Sequence, residues 1–385
     1  MSGRLLRLAC TAALAAGIVL APVPAAAEPA PGATDDRTVS GLLTDLQRLY
    51  REAEKATETY NGTEERLRRQ RAEVRRLDAE LARTRTSLHD SRGAAGRLAR
   101  QQYQSSSGLS PYLRLLLARD PQHAIDQGHV IGRLARERVE TVGRLTGAEK
   151  KAEELARRSR EALARQAALA GAQEKDRDDV RERLRAVEEL LASLTPEQLA
   201  ALAELEKSGI AEEQERFLAS GALGDDAKPS DGGDRAVRFA VEQLGKPYEW
   251  GAEGPVSYDC SGLTSVAWER AGTPIPRTSQ EQWARLEHVA LDELRPGDLV
   301  VYFPEATHVA LYLGDGMVVQ APRPGAEVKV SPIAANPVLG AVRPDPGEQP
   351  LRHYTPPRLP AGATDGSDEG YAAVYAPAAP ETSAR

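Results

Sequence analysis

Cysteine is almost missing from this chain: 385 residues hold two, Cys10 and Cys260. Histidine is limited to six residues, and phenylalanine and tryptophan to three each. So few cysteines exclude the disulfide framework on which small secreted domains rely. With no His-Glu-x-x-His, no paired cysteines and no clustered histidines, no metal site and no cofactor is expected. Neither a Gly-x-Ser-x-Gly elbow nor a phosphate loop is present. The formal net charge of -7 lacks the basic excess of a nucleic-acid binder, so no nucleic acid is expected as partner. Beyond the first 27 residues, no run is apolar and long enough to cross a bilayer.

What the first residues do contain is an export pattern. Arg4 and Arg7 precede the short apolar stretch Leu8 to Leu20, and small residues lead to a cut after Ala27. Residues 1–27 are therefore expected to be a signal peptide, and the mature protein to be secreted, outside the cell or in its wall. A lipoprotein signal using Cys10 fits poorly, because the hydrophobic run follows that cysteine. Cys260 is then the one cysteine that the mature chain keeps.

Aromatic residues are 4% of the chain and unevenly placed. Trp250, Trp268 and Trp283 fall in one short stretch, and large aromatics dominate core burial. The compact core is expected there. Residues 38–219 are instead rich in Ala, Arg, Glu and Leu. Leu67, Val74, Leu81 and Leu88 recur every seven residues with Leu77 and Thr84 between them, and Leu42, Leu46 and Leu49 continue the seam upstream. One helix is predicted from about Thr38 to Gln104. A Ser/Gly/Pro break follows, then the apolar piece Tyr112 to Leu117, then a break at Asp120-Pro121. A second helix is predicted from about Ala124 to Ala192, with apolar positions that include Leu134, Val142, Leu155, Leu163 and Leu191. Thr195-Pro196 has the form of a helix restart ending near Phe217. Two long helices joined by a broken segment predict an antiparallel coiled-coil hairpin, roughly 100 Å long at 1.5 Å per residue. An intermolecular coiled coil is the rival. The arginines at 66, 68, 69, 71, 75 and 76 are expected to be a solvated face.

Residues 220–233 have the composition of a flexible linker. Residues 234–343 are expected to form one small α+β domain, and 344–385, rich in Pro, Ala and Gly, to be disordered. Within the domain a helix from Asp234 ends at Gly245. Cys260 falls in the first turn of another helix, with Asp259 as its N-cap. A thiol at a helix N-terminus gains from the dipole and the free amides, which favour the thiolate. Asp259 opposes this, so a cationic partner is needed. Strands are predicted at Leu299–Phe303, His308–Leu313 and Met317–Ala321. If Leu313 pairs with Met317 across Gly314-Asp315-Gly316, Gln320 lies opposite Ala310 and shares a face with His308. A two-residue loop would send Gln320 to the other face unless a bulge intervened. Cys260, His308 and Gln320 thus supply nucleophile, base and orienting group. His288, in a loop-like stretch, and His353, in the tail, are weaker candidates for the base.

With these residues in place, the segment 234–343 resembles the NlpC family of papain-like cell-wall cysteine peptidases. The matching pieces are Gly245-Lys246-Pro247-Tyr248, Asp259-Cys260-Ser261-Gly262-Leu263, Pro276-Arg277-Thr278-Ser279, Pro296-Gly297-Asp298-Leu299 and His308-Val309-Ala310-Leu311-Tyr312-Leu313-Gly314. The resemblance implies a papain-like fold of helices packed on a small antiparallel sheet. It implies Cys260 as nucleophile, His308 as base, and Gln320 in a third position where many relatives carry His, Asn or Glu. It further implies that Tyr248 and the Cys260 amide steady the oxyanion, that Asp259, Ser261 and Arg277 contact substrate, and that the reaction is hydrolysis of peptidoglycan stem peptides at the D-glutamyl to diaminopimelate bond. A helical hairpin ahead of such a domain resembles a subgroup in which the coil holds the enzyme inactive and meets an FtsX-type membrane partner, here through Tyr112 to Leu117. The alternatives are a non-catalytic wall-binding adaptor and an amidase or acyltransferase using the same thiol.

Overall fold

In the computed structural model the described residues are 38–105, Leu113, 120–224 and 227–365. The export pattern and most of the 112–117 piece lie outside them.

The apolar seven-residue repeat becomes α1, Val39–Ser105, and the second long pattern becomes α2, Pro121–Ala192. Asp120 caps α2 by accepting from Gln122 N, and Pro121 takes the first helical position, so the helix starts three residues before the predicted Ala124. The two helices run antiparallel. Leu46 and Tyr50 pack on Val187 and Leu191 at one end, and Val74, Leu77 and Leu81 on Leu155 and Ala162 further along. Polar ties follow the same register, from Arg183–Glu52 (2.6 Å) through Thr63–Asp176 (2.6 Å) and Ser159–Asp78 (2.7 Å) to Arg92–Glu149 (3.1 Å). Leu134, Val142 and Leu163, expected in the seam, are 40%, 56% and 46% exposed. A pair of helices buries one narrow stripe, and apolar residues off that stripe stay wet. Within the arginine cluster the side chains are exposed, but Arg68 reaches Glu253 at 3.7 Å and Arg69 reaches Glu281 at 3.8 Å.

Thr195 and Gln198 form a reciprocal capping box that opens α3, Pro196–Ala219. The end of α3 lies on the sheet: Gln214 donates to Gly316 O at 3.0 Å and accepts from Ala334 N at 3.1 Å. The supposed linker is partly structural. Ser230 caps α4, Asp231–Glu242, so the helix begins before Asp234 and takes in Gly232 and Gly233. Both glycines are buried, where Trp268, Asp345 and Pro296 leave little room for a side chain.

Helices α5, Cys260–Arg270, and α6, Ser279–Arg285, follow. The strands are β1 Glu287–Val289, β2 Leu299–Tyr302, β3 His308–Gly314, β4 Met317–Gln320, β5 Lys329–Pro332 and β6 Val338–Arg343. They form one antiparallel sheet in the order β1-β6-β2-β3-β4-β5. One face buries Val301, Val309, Leu311 and Val319 under Val237, Ala240, Leu263 and Trp268 of α4 and α5. The other face carries Val300, Tyr302, Ala310, Tyr312 and Val318, covered by Phe217 of α3 and by Leu223. Helices on a small antiparallel sheet are the α+β, papain-like arrangement expected.

After Arg343 the chain does not leave the domain. Asp345 pairs with Arg295 at 2.7 Å and accepts from Ser230, while Ala363 O accepts from Val330 N at 2.8 Å. Residues 344–365 lack regular structure yet pack as a strap, contrary to the disorder expected from composition. Their hydrogen bonds to buried groups outweigh the low hydrophobicity.

Candidate active site

Asp259 closes the N-terminus of α5. Its Oδ1 accepts from Gly262 N at 2.6 Å and its Oδ2 from Gly251 N at 2.9 Å. Arg277 then grips both oxygens, at 3.0 and 2.7 Å. A bidentate guanidinium offsets the buried carboxylate, so Asp259 acts as a neutralised cap behind Cys260. Only glycine fits at 262, because a Cβ there would meet Ala252 O and Asp259 Oδ1. Arg277 also donates to Ser261 Oγ at 2.8 Å and binds Glu253 at 2.7 Å. It is 9% exposed, so it belongs to the framework under the cysteine and not to the surface.

His308 opens β3 and Gln320 ends β4, which brings them to the same end of the sheet. The hairpin between them differs from expectation. Gly314 pairs with Met317, leaving the two-residue turn Asp315-Gly316, whose φ values of 54° and 68° suit a type I′ turn. A bulge between Tyr312 and Gly314 inserts one residue in β3. The extra residue cancels the shorter loop, Leu311 pairs with Val319, and Gln320 returns to the His308 face. His308 Nε2 and Gln320 Oε1 are 2.7 Å apart, and Gln320 Nε2 donates to Ser331 Oγ at 2.8 Å. The carbonyl oxygen of Gln320 can only accept, which places a proton on Nε2 of His308.

Cys260 is buried against β3, where a backbone hydrogen bond at Val309 favours its thiolate. That influence is outweighed. Burial first, then the charges of Glu58, Asp259 and Glu54, push the thiol well above its usual range. Tyr248, buried beside it, is also pushed up by burial and by the charge at Cys260, and stands as a neutral phenol donor. Cys260 and His308 share no hydrogen bond. Cys260 Sγ and His308 Nδ1 face α1 instead.

Three residues of α1 enter the site from one helical face, at i, i+4 and i+7. Glu54 Oε1 lies 3.3 Å from His308 Nδ1, an ion-pair approach too poorly aligned for a hydrogen bond. Glu58 Oε1 accepts from Ser261 Oγ at 2.7 Å and lies 3.9 Å from Cys260 Sγ, and its Oε2 accepts from Ser279 N at 2.8 Å. Asn61 Nδ2 donates to Asp259 Oδ2 at 3.0 Å. Tyr60, just before Asn61, adds a contact, edge-on to Trp250 at 5.0 Å. Burial and the charge of Asp259 raise Glu58 to about 7, against the pull of Arg277, Ser261 and the Ser279 amide. At His308 burial opposes protonation, but Glu54 and Gln320 prevail and its pKa is raised.

The two other histidines considered as bases sit elsewhere. His288 is in β1, its ring tilted against Trp283 with centroids 4.0 Å apart and Nε2 against Trp283 O, and His353 is exposed. Among the described residues no group of His, Cys, Asp and Glu is placed to hold a metal. Glu54, Glu58, Asn61 and Ser331 were not anticipated. A signal for the first three exists: polar side chains at 54, 58 and 61 occupy one face of a helix whose seam is otherwise apolar.

Residues 245–340 match the profile of the NlpC/P60 family. Over 115 residues the chain is 39% identical to a probable endopeptidase of Mycobacterium tuberculosis, covering 29% of this chain and 30% of that protein. Over 89 residues it is 48% identical to a probable endopeptidase of Corynebacterium glutamicum, covering 23% and 43%. The chain thus spans less than half the length of these relatives. Among solved structures, the NlpC/p60 domain of the peptidoglycan hydrolase SagA is similar at 31% identity, covering 29% of this chain and 97% of that one, with a TM-score of 0.28. RipD of Mycobacterium tuberculosis, described as a non-catalytic NlpC/p60 domain protein, is similar at 33% identity over 29% of this chain and 96% of that one, with a TM-score of 0.27.

Proposed function

We propose that this chain, which carries an NlpC/P60 domain, is an exported cysteine endopeptidase of peptidoglycan stem peptides, held inactive by its own helical hairpin. The observation that carries the reading is the pairing of His308 Nε2 with Gln320 Oε1 at 2.7 Å, since it leaves Nδ1 as the basic nitrogen, on the strand whose next residue, Val309, meets a cysteine at a helix start. In the reaction so inferred, α1 first withdraws Glu54 and Glu58. Nδ1 of His308 takes the Cys260 proton, and the thiolate attacks the scissile carbonyl. The Cys260 amide and the Tyr248 phenol donate to the oxyanion. His308 returns the proton to the leaving amine, the amide C–N bond breaks, and an acyl-enzyme remains. Water, deprotonated by His308, releases the acid. A neutral Gln320 orients the ring but stabilises its imidazolium less than a carboxylate would.

Inhibition in this reading is steric and electrostatic together. Glu58 fills the space over Ser261 and Ser279, while Glu54 sits where His308 would receive the thiol proton. The bond proposed is D-glutamyl to diaminopimelate, and an FtsX-type membrane protein acting on the hairpin is the proposed trigger. Export by residues 1–27 places the chain at the wall.

Mass spectrometry of purified peptidoglycan digested by the wild type, by Glu58→Arg and by Glu58→Arg/Cys260→Ala tests the reading. Glu58→Arg sets a second cation against Arg277 and is expected to open the site. New stem-peptide fragments with Glu58→Arg, absent with the double variant, are expected and would name the bond. Identical profiles for all three would favour a wall-binding adaptor.

A further inference from the structure

The part of α2 farthest from the domain carries a second apolar face. Thr141, two heptads before Leu155 of the inter-helix core, is 3% exposed and continues the seam with α1. At about 100° per residue, Val139 and Ile125 point to the opposite side of α2, with Val142 beside them. These three are 74%, 57% and 56% exposed. Along one edge of the face stand His129, Arg133 and Arg136, all exposed, at i, i+4 and i+7. Arg97 and Arg100 of α1 come level with this stretch, one to two turns beyond the Arg92–Glu149 contact. Glu140, on the same edge, faces Arg144 at 3.9 Å. Among the described residues no carboxylate lies within ion-pair distance of Arg97, Arg100, Arg133 or Arg136. Charge is segregated in the sequence as well. Residues 91–136 hold seven arginines, two aspartates and neither lysine nor glutamate, a net of +5. The whole chain is -7, which leaves -12 for the rest.

We propose that this face, Ile125, Val139 and Val142 edged by Arg133 and Arg136, docks the hairpin on an anionic lipid bilayer. Cations alone would fit any polyanion. Exposed branched side chains beside them fit the boundary between headgroups and acyl chains. There the aliphatic tips leave water while the guanidiniums stay among the phosphates, which their planar fork binds in pairs. A net positive surface is also drawn to anionic lipid before any contact forms, and the acidic remainder of the chain is held off, so the charge sets which end approaches. A second copy of the same face would set one net positive edge against another, and so is not the occupant. The Cys260 site stays clear of the bilayer, since Glu58 lies roughly 60 Å along α1 from Arg97 at 1.5 Å per residue. The proposal is independent of whether Cys260 is a nucleophile.

The test is flotation of the whole chain from residue 28, so that residues 1–27 do not themselves bind lipid. One set of vesicles is equal parts phosphatidylglycerol and phosphatidylcholine, and the other is phosphatidylcholine alone. The wild type is expected to bind the anionic vesicles about tenfold more tightly or better. Arg133→Glu/Arg136→Glu should reduce that binding by about tenfold or more. Ile125→Ser/Val139→Ser/Val142→Ser keeps every charge and should reduce it by about fivefold or more. All five positions are exposed, so both variants should keep the wild-type helical circular dichroism and the wild-type alkylation rate of Cys260, which shows that they are folded. Equal binding to the two kinds of vesicle, no binding to either, or full binding by the arginine variant would overturn the proposal. Wild-type binding by the serine variant would overturn it too. The face would then be purely electrostatic, as suits a soluble polyanion or an acidic protein, and not a bilayer.

Discussion

Ser331 is the residue whose role is easiest to underestimate. Its hydroxyl accepts from Gln320 Nε2 and so helps to hold the Gln320 amide with its carbonyl toward His308. Were the amide turned, its NH2 would face Nε2 and the ring proton would move to Nδ1, the nitrogen proposed as base. In the opened Glu58→Arg background, Ser331→Ala is expected to lower kcat by about tenfold with KM unchanged, the pattern of a misoriented general base. Ser331→Thr keeps the hydroxyl and should retain most of the rate. Pairing Ser331→Ala with Gln320→Glu should remove the penalty, because a carboxylate presents an acceptor in either orientation. Equal losses in both backgrounds would reduce Ser331 to a packing residue. A residue-scale prediction on stability concerns Asp259, which is fully buried against Arg277. Asp259→Ala removes the α5 cap and leaves that arginine uncompensated, so thermal unfolding should show a loss of about 3–5 kcal/mol. An unchanged midpoint would contradict the ion pair's structural role.

At the scale of elements, local chemistry predicts starts better than it predicts partners. Thr195-Pro196 carries its capping signal in adjacent residues and α3 begins there, while Asp120-Pro121, read in the sequence as a break ahead of Ala124, carries the same signal and α2 begins at Pro121. The β3–β4 hairpin was legible only in part. Asp315-Gly316 is a strong two-residue turn signal, but the bulge that restores the Gln320 register depends on how β3 meets its neighbours. Cys260, His308 and Gln320 could be picked out because each sits at the end of an element that its own sequence defines. Glu54 and Glu58 were harder: their polar side chains interrupt an apolar helix face, but nothing near them in the chain says that a distant cysteine domain is what covers that face. The strap 344–365 failed for a related reason. Its composition is that of a tail, and its order comes from long-range bonds to Arg295, Ser230 and Val330.

For the whole molecule, docking of the helices is coupled to protons. Glu58 sits at about 7 in the docked state against an ordinary 4.5, and His308 is raised above its ordinary 6.5. Both groups hold their protons more tightly when docked. The contribution of Glu58 to docking is therefore full below pH 4.5 and is lost as pH rises to about 7, and that of His308 is lost as pH passes its raised value. The fluorine resonance of a fluorotryptophan at Trp250, followed from pH 5 to 8, should show the open fraction rising with pH, and Glu58→Gln, which cannot ionise, should show a shallower rise. Superimposable curves would exclude Glu58 as a contributor to the coupling.

The central claim is that the docked helix withholds the thiol, and the scarcity of cysteine makes this directly measurable. A chain expressed from residue 28 contains Cys260 as its only thiol. Its rate of alkylation by iodoacetamide at pH 7 reports both access to the sulfur and its thiolate fraction. The wild type should react at least about tenfold more slowly than Glu58→Arg, since burial and two facing carboxylates both suppress the thiolate. Equal rates for the two chains would mean that α1 neither covers nor disarms Cys260, and would contradict the account.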